Sequence, residues 1–189
     1  QFGEDVAILS SVALLSSAFG IVASAEGLSG ANRAQAVVEL STAAGLQGLV
    51  KGQYQDLSEG PARRSTEAIA STNDLKTSML FDATLQMAAL AADASPAVRE
   101  KLRCFAQDLG QAFQLLDDLA DCHSGTGKDM NQDDGKSTLV ALLGSEEVHQ
   151  RLRQQVHIAG QQFAFVCKEC LASRRFMHTW FNQQLAAFG

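Results

Sequence analysis

The chain has 189 residues, a formal net charge of −6, 46% hydrophobic residues and two prolines, Pro61 and Pro96. Its length suits one domain, 1–189, with a sizeable core, and its acidic balance excludes the basic phosphate-binding surface on which nucleic-acid binders depend. No alternating β-like run, low-complexity tract or internal repeat occurs, so the expected class is all-α.

Helices are expected near 4–24, 31–57, 65–92, 96–122, 138–143, 146–170 and 172–187. In the first, the apolar stretch from Val6 to Ala25 is diluted by Ser10, Ser11, Ser16, Ser17 and Ser24 and preceded by Glu4 and Asp5. It lacks a basic leader, so it reads as a buried helix and not as a signal sequence or transmembrane segment. A cytoplasmic location and free thiols follow from that reading. Ser95-Pro96 reads as a cap and first helical residue, and Ser145-Glu146-Glu147 as a cap with an acidic first turn.

Within the third helix, Lys76 and Thr77 precede Met79, Leu80, Ala83, Leu85, Met87 and Leu90. A lysine in so apolar a pattern either snorkels to solvent or meets an anion. Asn73, Asp74 and Thr77 approach the metal motif of terpene cyclases, but Phe81 stands where that motif needs a glutamate, which leaves Lys76 as a phosphate ligand.

The fourth helix carries the most chemistry. Arg103, Gln107, Gly110, Gln111, Gln114, Asp117, Asp118 and Asp121 fall within an arc of roughly 120° at 3.6 residues per turn. The opposite arc holds Phe105, Leu109, Ala112, Phe113, Leu115, Leu116 and Leu119, with Asp108 as a polar intruder. Carboxylates one turn apart repel by roughly 2 to 3 kcal/mol at an effective dielectric near 20. Such a set suits a hard cation held by oxygen alone, and Mg²⁺ commonly bridges carboxylates to substrate phosphates. A solvated acidic face is the ordinary alternative; the Gln and Gly stripe upstream weighs against it.

Residues 124–138 form a Gly-rich loop carrying Lys128 and Lys136, point charges suited to a diphosphate. The loop is not a Walker A motif, because Met130 occupies the first glycine position, and it is not an EF-hand, because Asp134 and Val140 replace the required Gly and Glu. Cys167 and Cys170 lack the partners for a zinc set, the four histidines show no ligand spacing, and Phe176, Trp180, Phe181 and Phe188 suit core packing on a C-terminal helix.

Gly52-Gln53 with Asp56, Lys76-Thr77, Phe113-Gln114-Leu115-Leu116-Asp117-Asp118-Leu119-Ala120-Asp121 and the loop from Gly127-Lys128-Asp129 to Gly135-Lys136-Ser137-Thr138 occur in one order. That order resembles the trans-prenyl diphosphate synthases across essentially the whole chain. Phe2-Gly3-Glu4, Ser71 to Met79 and Arg175 to Phe181 look most like the geranylgeranyl diphosphate synthases of bacterial carotenoid clusters.

The resemblance implies an isoprenoid-synthase-type helical bundle around a central cavity. It implies a Mg²⁺-dependent transfer between isopentenyl diphosphate and an allylic diphosphate (dimethylallyl, geranyl or farnesyl), and a homodimer built partly on the first helix. Asp117, Asp118 and Asp121 would hold metal; Lys76, Thr77, Lys128 and Lys136 would hold diphosphate; Gln53, Asp56 and Gln114 would be polar supports; Phe113 would line the apolar end of isopentenyl diphosphate. In that family a first Asp-rich motif lies shortly before the Phe-Gly-Glu with which this chain begins, and Ser11-Val12 replaces a common Gly-Asp. The chain is therefore expected to be the C-terminal two-thirds of a synthase, with N-terminal helices missing and no turnover alone. The alternative is a non-catalytic synthase-like subunit that binds a complete partner.

Overall fold

A computed structural model describes residues 2–58, 64–121 and 138–186. Among them the chain is helical, with no strand: α1 (Glu4–Ala23), α2 (Gly30–Ala44), α3 (Leu49–Ser58), α4 (Thr66–Asn73), α5 (Met79–Ala91), α6 (Pro96–Asp121), α7 (Leu139–Leu143), α8 (Ser145–Val166) and α9 (Leu171–Ala186). A π-helical turn, Asp74–Ser78, joins α4 to α5 without a break.

The long amphipathic α6 organises the array, packing along α8 on one side and along α5 and the π turn on the other. Its apolar arc supplies Ala112, Leu115, Leu116 and Leu119 to a core completed by Ile69, Leu139, Val148, Leu152, Val156, Phe181 and Leu185. Each fully buried leucine there contributes about 1.5 to 3 kcal/mol relative to exposure. On the opposite arc Gly110 and Ala106 are buried too, so α6 is covered from both sides.

A polar network ties α2, α5 and α6 together. Gln86 is fully buried; its Nε2 donates to Asp82 Oδ1 (2.9 Å) and to the Arg99 carbonyl (3.0 Å), and its Oε1 accepts from Arg99 Nε (2.9 Å). Arg99 Nη2 reaches Glu39 Oε1 at 3.1 Å. A buried amide is tolerable only when satisfied in this way.

The expected helix over 31–57 divides at residues 45–48. Side chains at Gly45 and Gly48 would run into the Ser41 and Ala43 carbonyl oxygens, so the chain turns where only glycine fits. Ser95 caps α6 as expected, its Oγ accepting from Val98 N. The cap expected at Ser145 is instead Gly144, with Ser145 already helical, and Ser29, Ser65 and Thr138 are further side-chain caps. Helix α8 ends at Val166, before a Cys167–Cys170 disulfide that replaces the free thiols expected there.

The first helix departs most from expectation, because no residue of α1 is buried. It is apolar on every side, yet its main packing partner among the described residues is α2, and Ile8, Leu9, Leu14 and Ile21 face solvent. By length and composition it could cross a membrane, the one such helix among the described residues.

Candidate active site

The π turn presents the lysine. A π turn within an α-helix frequently marks a functional site, and here it carries Lys76 and Thr77 between α4 and α5. Lys76 Nζ lies 2.9 Å from Asp56 Oδ2 on α3, with 23% of the lysine and 16% of the aspartate side chain exposed. Lys76 thus meets an anion instead of snorkelling, and two residues singled out separately in the sequence form one pair. Gln53, a turn before Asp56, is exposed.

Neighbouring groups reinforce the joint between α3 and α4. Thr72 is buried and donates to Gln55 Oε1 (3.3 Å), and Arg64 Nη2 donates to Thr72 Oγ1 and to the Ala68 carbonyl. Asp74 Oδ1 is buried, with no hydrogen-bond donor among the described residues. Gln55 and Thr72 carry no signal of their own in the sequence beyond the polar run Ser71 to Asp74 in which Thr72 lies, and Asp74 stands out there only as part of an incomplete metal motif.

Helix α6 faces the π turn with its Gln and Gly stripe. Gln111 Nε2 donates to the Ala70 carbonyl at 2.9 Å, and Ser78 Oγ donates to the Gln107 carbonyl at 3.4 Å. Gln114 is half-buried, Asp117 exposed and Asp121 half-buried. Asp118 is brought elsewhere: its Oδ2 accepts from Leu139 N at 3.2 Å, tying the end of α6 to the start of α7. Among the described residues no three His, Cys, Asp or Glu side chains gather as a metal cage. Mg²⁺ does not require one, since one or two protein carboxylates with substrate oxygens and water complete its shell. Asp117 and Asp121, one turn apart and purely oxygen donors, fit that chemistry. Lys128 and Lys136 lie outside the described residues.

Phe113 is the hub of an aromatic cluster. Its ring lies 5.6 Å from Phe81, stacks on Trp180 at 5.2 Å and meets Phe181 edge-on at 6.1 Å. Phe113, Trp180 and Phe181 wall an apolar cavity of about 310 Å³ with Leu109, Phe163 and Met177. Phe181 and half-buried Trp180 pack in the core as expected, whereas Phe176 is 70% exposed and Phe188 lies outside the described residues.

A second cavity, of about 700 Å³, is polar and lies between α4, α6 and α8. Asp108, the intruder on the apolar arc, lines it and accepts from Gln155 Nε2 at 2.8 Å. Burial pushes its carboxyl above the usual carboxylate range.

With the site in view, likenesses to known proteins agree. The family model for polyprenyl synthetase matches residues 1–172. The chain belongs to the polyprenyl synthetase family. Within that family it is 55% identical over 186 residues to a geranylgeranyl diphosphate synthase of Pseudescherichia vulneris, covering 98% of this chain and 61% of that protein. It is 54% identical over 187 residues to one of Pantoea ananas, covering 99% of this chain and 62% of that protein. A crystal structure of an FPP/GFPP synthase from Zymomonas mobilis superposes with a TM-score of 0.81 at 27% identity, over 95% of this chain and 62% of that one. This polyprenyl synthetase chain therefore spans about three-fifths of the length of the relatives it matches. The all-α isoprenoid-synthase architecture implied by the motif order is the one found.

Proposed function

We propose that this chain carries the prenyl-transfer site of a geranylgeranyl diphosphate synthase. The activity is Mg²⁺-dependent condensation of isopentenyl diphosphate with an allylic diphosphate, serving carotenoid synthesis in the cytoplasm. The observation that carries this reading is identity of 55% and 54% to two proteins of that name along nearly the whole chain. The uncovered apolar surface of α1 supports the homodimer part of the reading.

Lys76 would hold the allylic diphosphate through Nζ, where Asp56 fixes the position of the ammonium before substrate arrives. Thr77, beside it on the π turn, would offer a hydroxyl donor to the same anion, and Lys128 and Lys136 would offset further charge. Mg²⁺, held by Asp117 and Asp121 with Asp118 in support, would supply positive charge to the departing diphosphate. Gln53 and Gln114 would be polar supports at the wall. Phe113 and its ring neighbours would keep water from the apolar end of isopentenyl diphosphate.

As the allylic C–O bond breaks, the electron pair leaves with diphosphate. Fixed positive charge aimed at those oxygens stabilises the leaving group more than the bound substrate. The π electrons of isopentenyl diphosphate then form the new C–C bond, and loss of a proton restores a double bond. No side-chain nucleophile is needed. The test is chromatography of products made by the intact protein from isopentenyl and farnesyl diphosphates with Mg²⁺: a twenty-carbon diphosphate supports the proposal, and no elongation by folded, Mg²⁺-loaded protein favours a non-catalytic subunit.

A further inference from the structure

Two glycines press on the π turn from opposite elements. A β-carbon built on Gly110 of α6 would stand 2.7 Å from the Ser78 Cα and 2.8 Å from its Cβ, and still closer to its Oγ. One built on Gly52 of α3 would stand 2.8 Å from both Leu75 Cβ and the Lys76 backbone nitrogen. Each position meets backbone as well as side chain, the Ser78 Cα in one case and the Lys76 nitrogen in the other, so a methyl group at either place must move backbone. Ordinary carbon contacts begin near 3.5 Å, so the required displacement is of the order of 1 Å.

Position in the helices makes that displacement matter. Gly52 lies one turn before Asp56, the partner of Lys76. Gly110 lies one turn before Gln114 and two before Asp117, on the arc of α6 that faces the π turn. Residues three, four and seven apart share a helix face. The same close approaches therefore set how far Lys76 stands from its carboxylate partner and from the Asp-bearing end of α6.

We infer that Gly110 and Gly52 are positioning residues for Lys76: by letting α6 and α3 touch the backbone of the π turn, they fix where its ammonium meets diphosphate. This rests on the reading of Lys76 as a diphosphate ligand. Neither glycine touches substrate. A misplacement near 1 Å lowers transfer roughly 10²-fold, because effective concentration at the reacting centre depends steeply on alignment.

The experiment is a double-variant cycle in the intact protein, reading kcat and KM with farnesyl and isopentenyl diphosphates and Mg²⁺. Gly110→Ala is expected to lower kcat/KM roughly 10²-fold, and Lys76→Ala in the Gly110→Ala background to add little, since the ammonium is already displaced. Ser78→Gly combined with Gly110→Ala removes two of the three close contacts and is expected to recover at least about tenfold. If Gly110→Ala does not fold, the Ser78→Gly, Gly110→Ala pair and Gly52→Ala carry the same cycle with Lys76→Ala. Losses that multiply independently of Lys76, or a folded Gly110→Ala with unchanged kinetics, overturn the inference. A Lys76→Ala protein with full activity overturns instead the reading of the site on which it rests.

Discussion

Removing the charge of Lys76 separates its structural role from its proposed chemical one. The Lys76–Asp56 contact of 2.9 Å leaves 23% and 16% of the two side chains exposed, between a surface pair and a buried one. At an effective dielectric near 20 the direct attraction is about 6 kcal/mol, and the cost of drying both groups offsets much of it. Exposed pairs contribute about 0 to 1 kcal/mol, while breaking a buried one costs about 3 to 5 kcal/mol. Lys76→Met is accordingly expected to destabilise by about 2 kcal/mol, or about 4 to 8 °C in Tm for a chain of this size. Asp56→Asn in the same chain removes the second charge and is expected to restore most of that stability. Diphosphate binding in the presence of Mg²⁺ is expected to stay lost in the double variant, because the cation is gone. Urea denaturation with calorimetric titration of inorganic diphosphate measures both. A double variant that regains stability and also binds diphosphate like the parent would refute the assignment of Lys76; a single variant as stable as the parent would refute the energetic weight given to the pair.

Asp108 gives a pH dependence with a definite sign. Its folded-state affinity for a proton is raised by burial, so the carboxyl favours the folded state at low pH and that contribution is lost as pH rises through its folded pKa. Asp108→Asn keeps an acceptor for Gln155 and is expected to raise Tm at pH 7 with little gain near pH 3; equal gains at both would contradict the assignment. Leu119 is fully buried at the centre of the core, and Leu119→Ala should cost about 3 to 5 kcal/mol by denaturation; a loss below about 1 kcal/mol would show that the site collapses freely. The purified 189-residue chain is expected to run above its monomer mass in light scattering because α1 is bare, and Leu9→Glu with Leu14→Glu should reduce that association; a monomer throughout would contradict it.

The fold was largely legible because α6 and α8 carry long amphipathic patterns, whose period survives any tertiary context. Three features were not. The turn at Gly45–Gly48 falls inside a run of helix formers, and only the steric demand of the doubled-back chain selects glycine there. The π turn has no sequence period of its own, so Asp74–Ser78 read as ordinary helix around Lys76. Gln86 carries no signal in the sequence, since its partner Arg99 lies in the next helix. At the site, residue types were readable and pairings were not. Lys76 was visible as a charge in an apolar pattern and Asp56 only through the family resemblance, and their contact depends on Gly52 admitting α3 to the π turn. Asp118 looked equivalent to Asp117 by spacing, yet the start of α7 draws it to Leu139.

Calorimetric titration of inorganic diphosphate into the intact protein tests the central claim most directly, run with and without Mg²⁺ and repeated on Asp117→Ala. Coupling of metal and anion through one site predicts binding that requires Mg²⁺ and weakens at least about tenfold in the variant, a change of about 1.4 kcal/mol. Equal affinity with and without Mg²⁺, or a variant that binds like the parent, would contradict it.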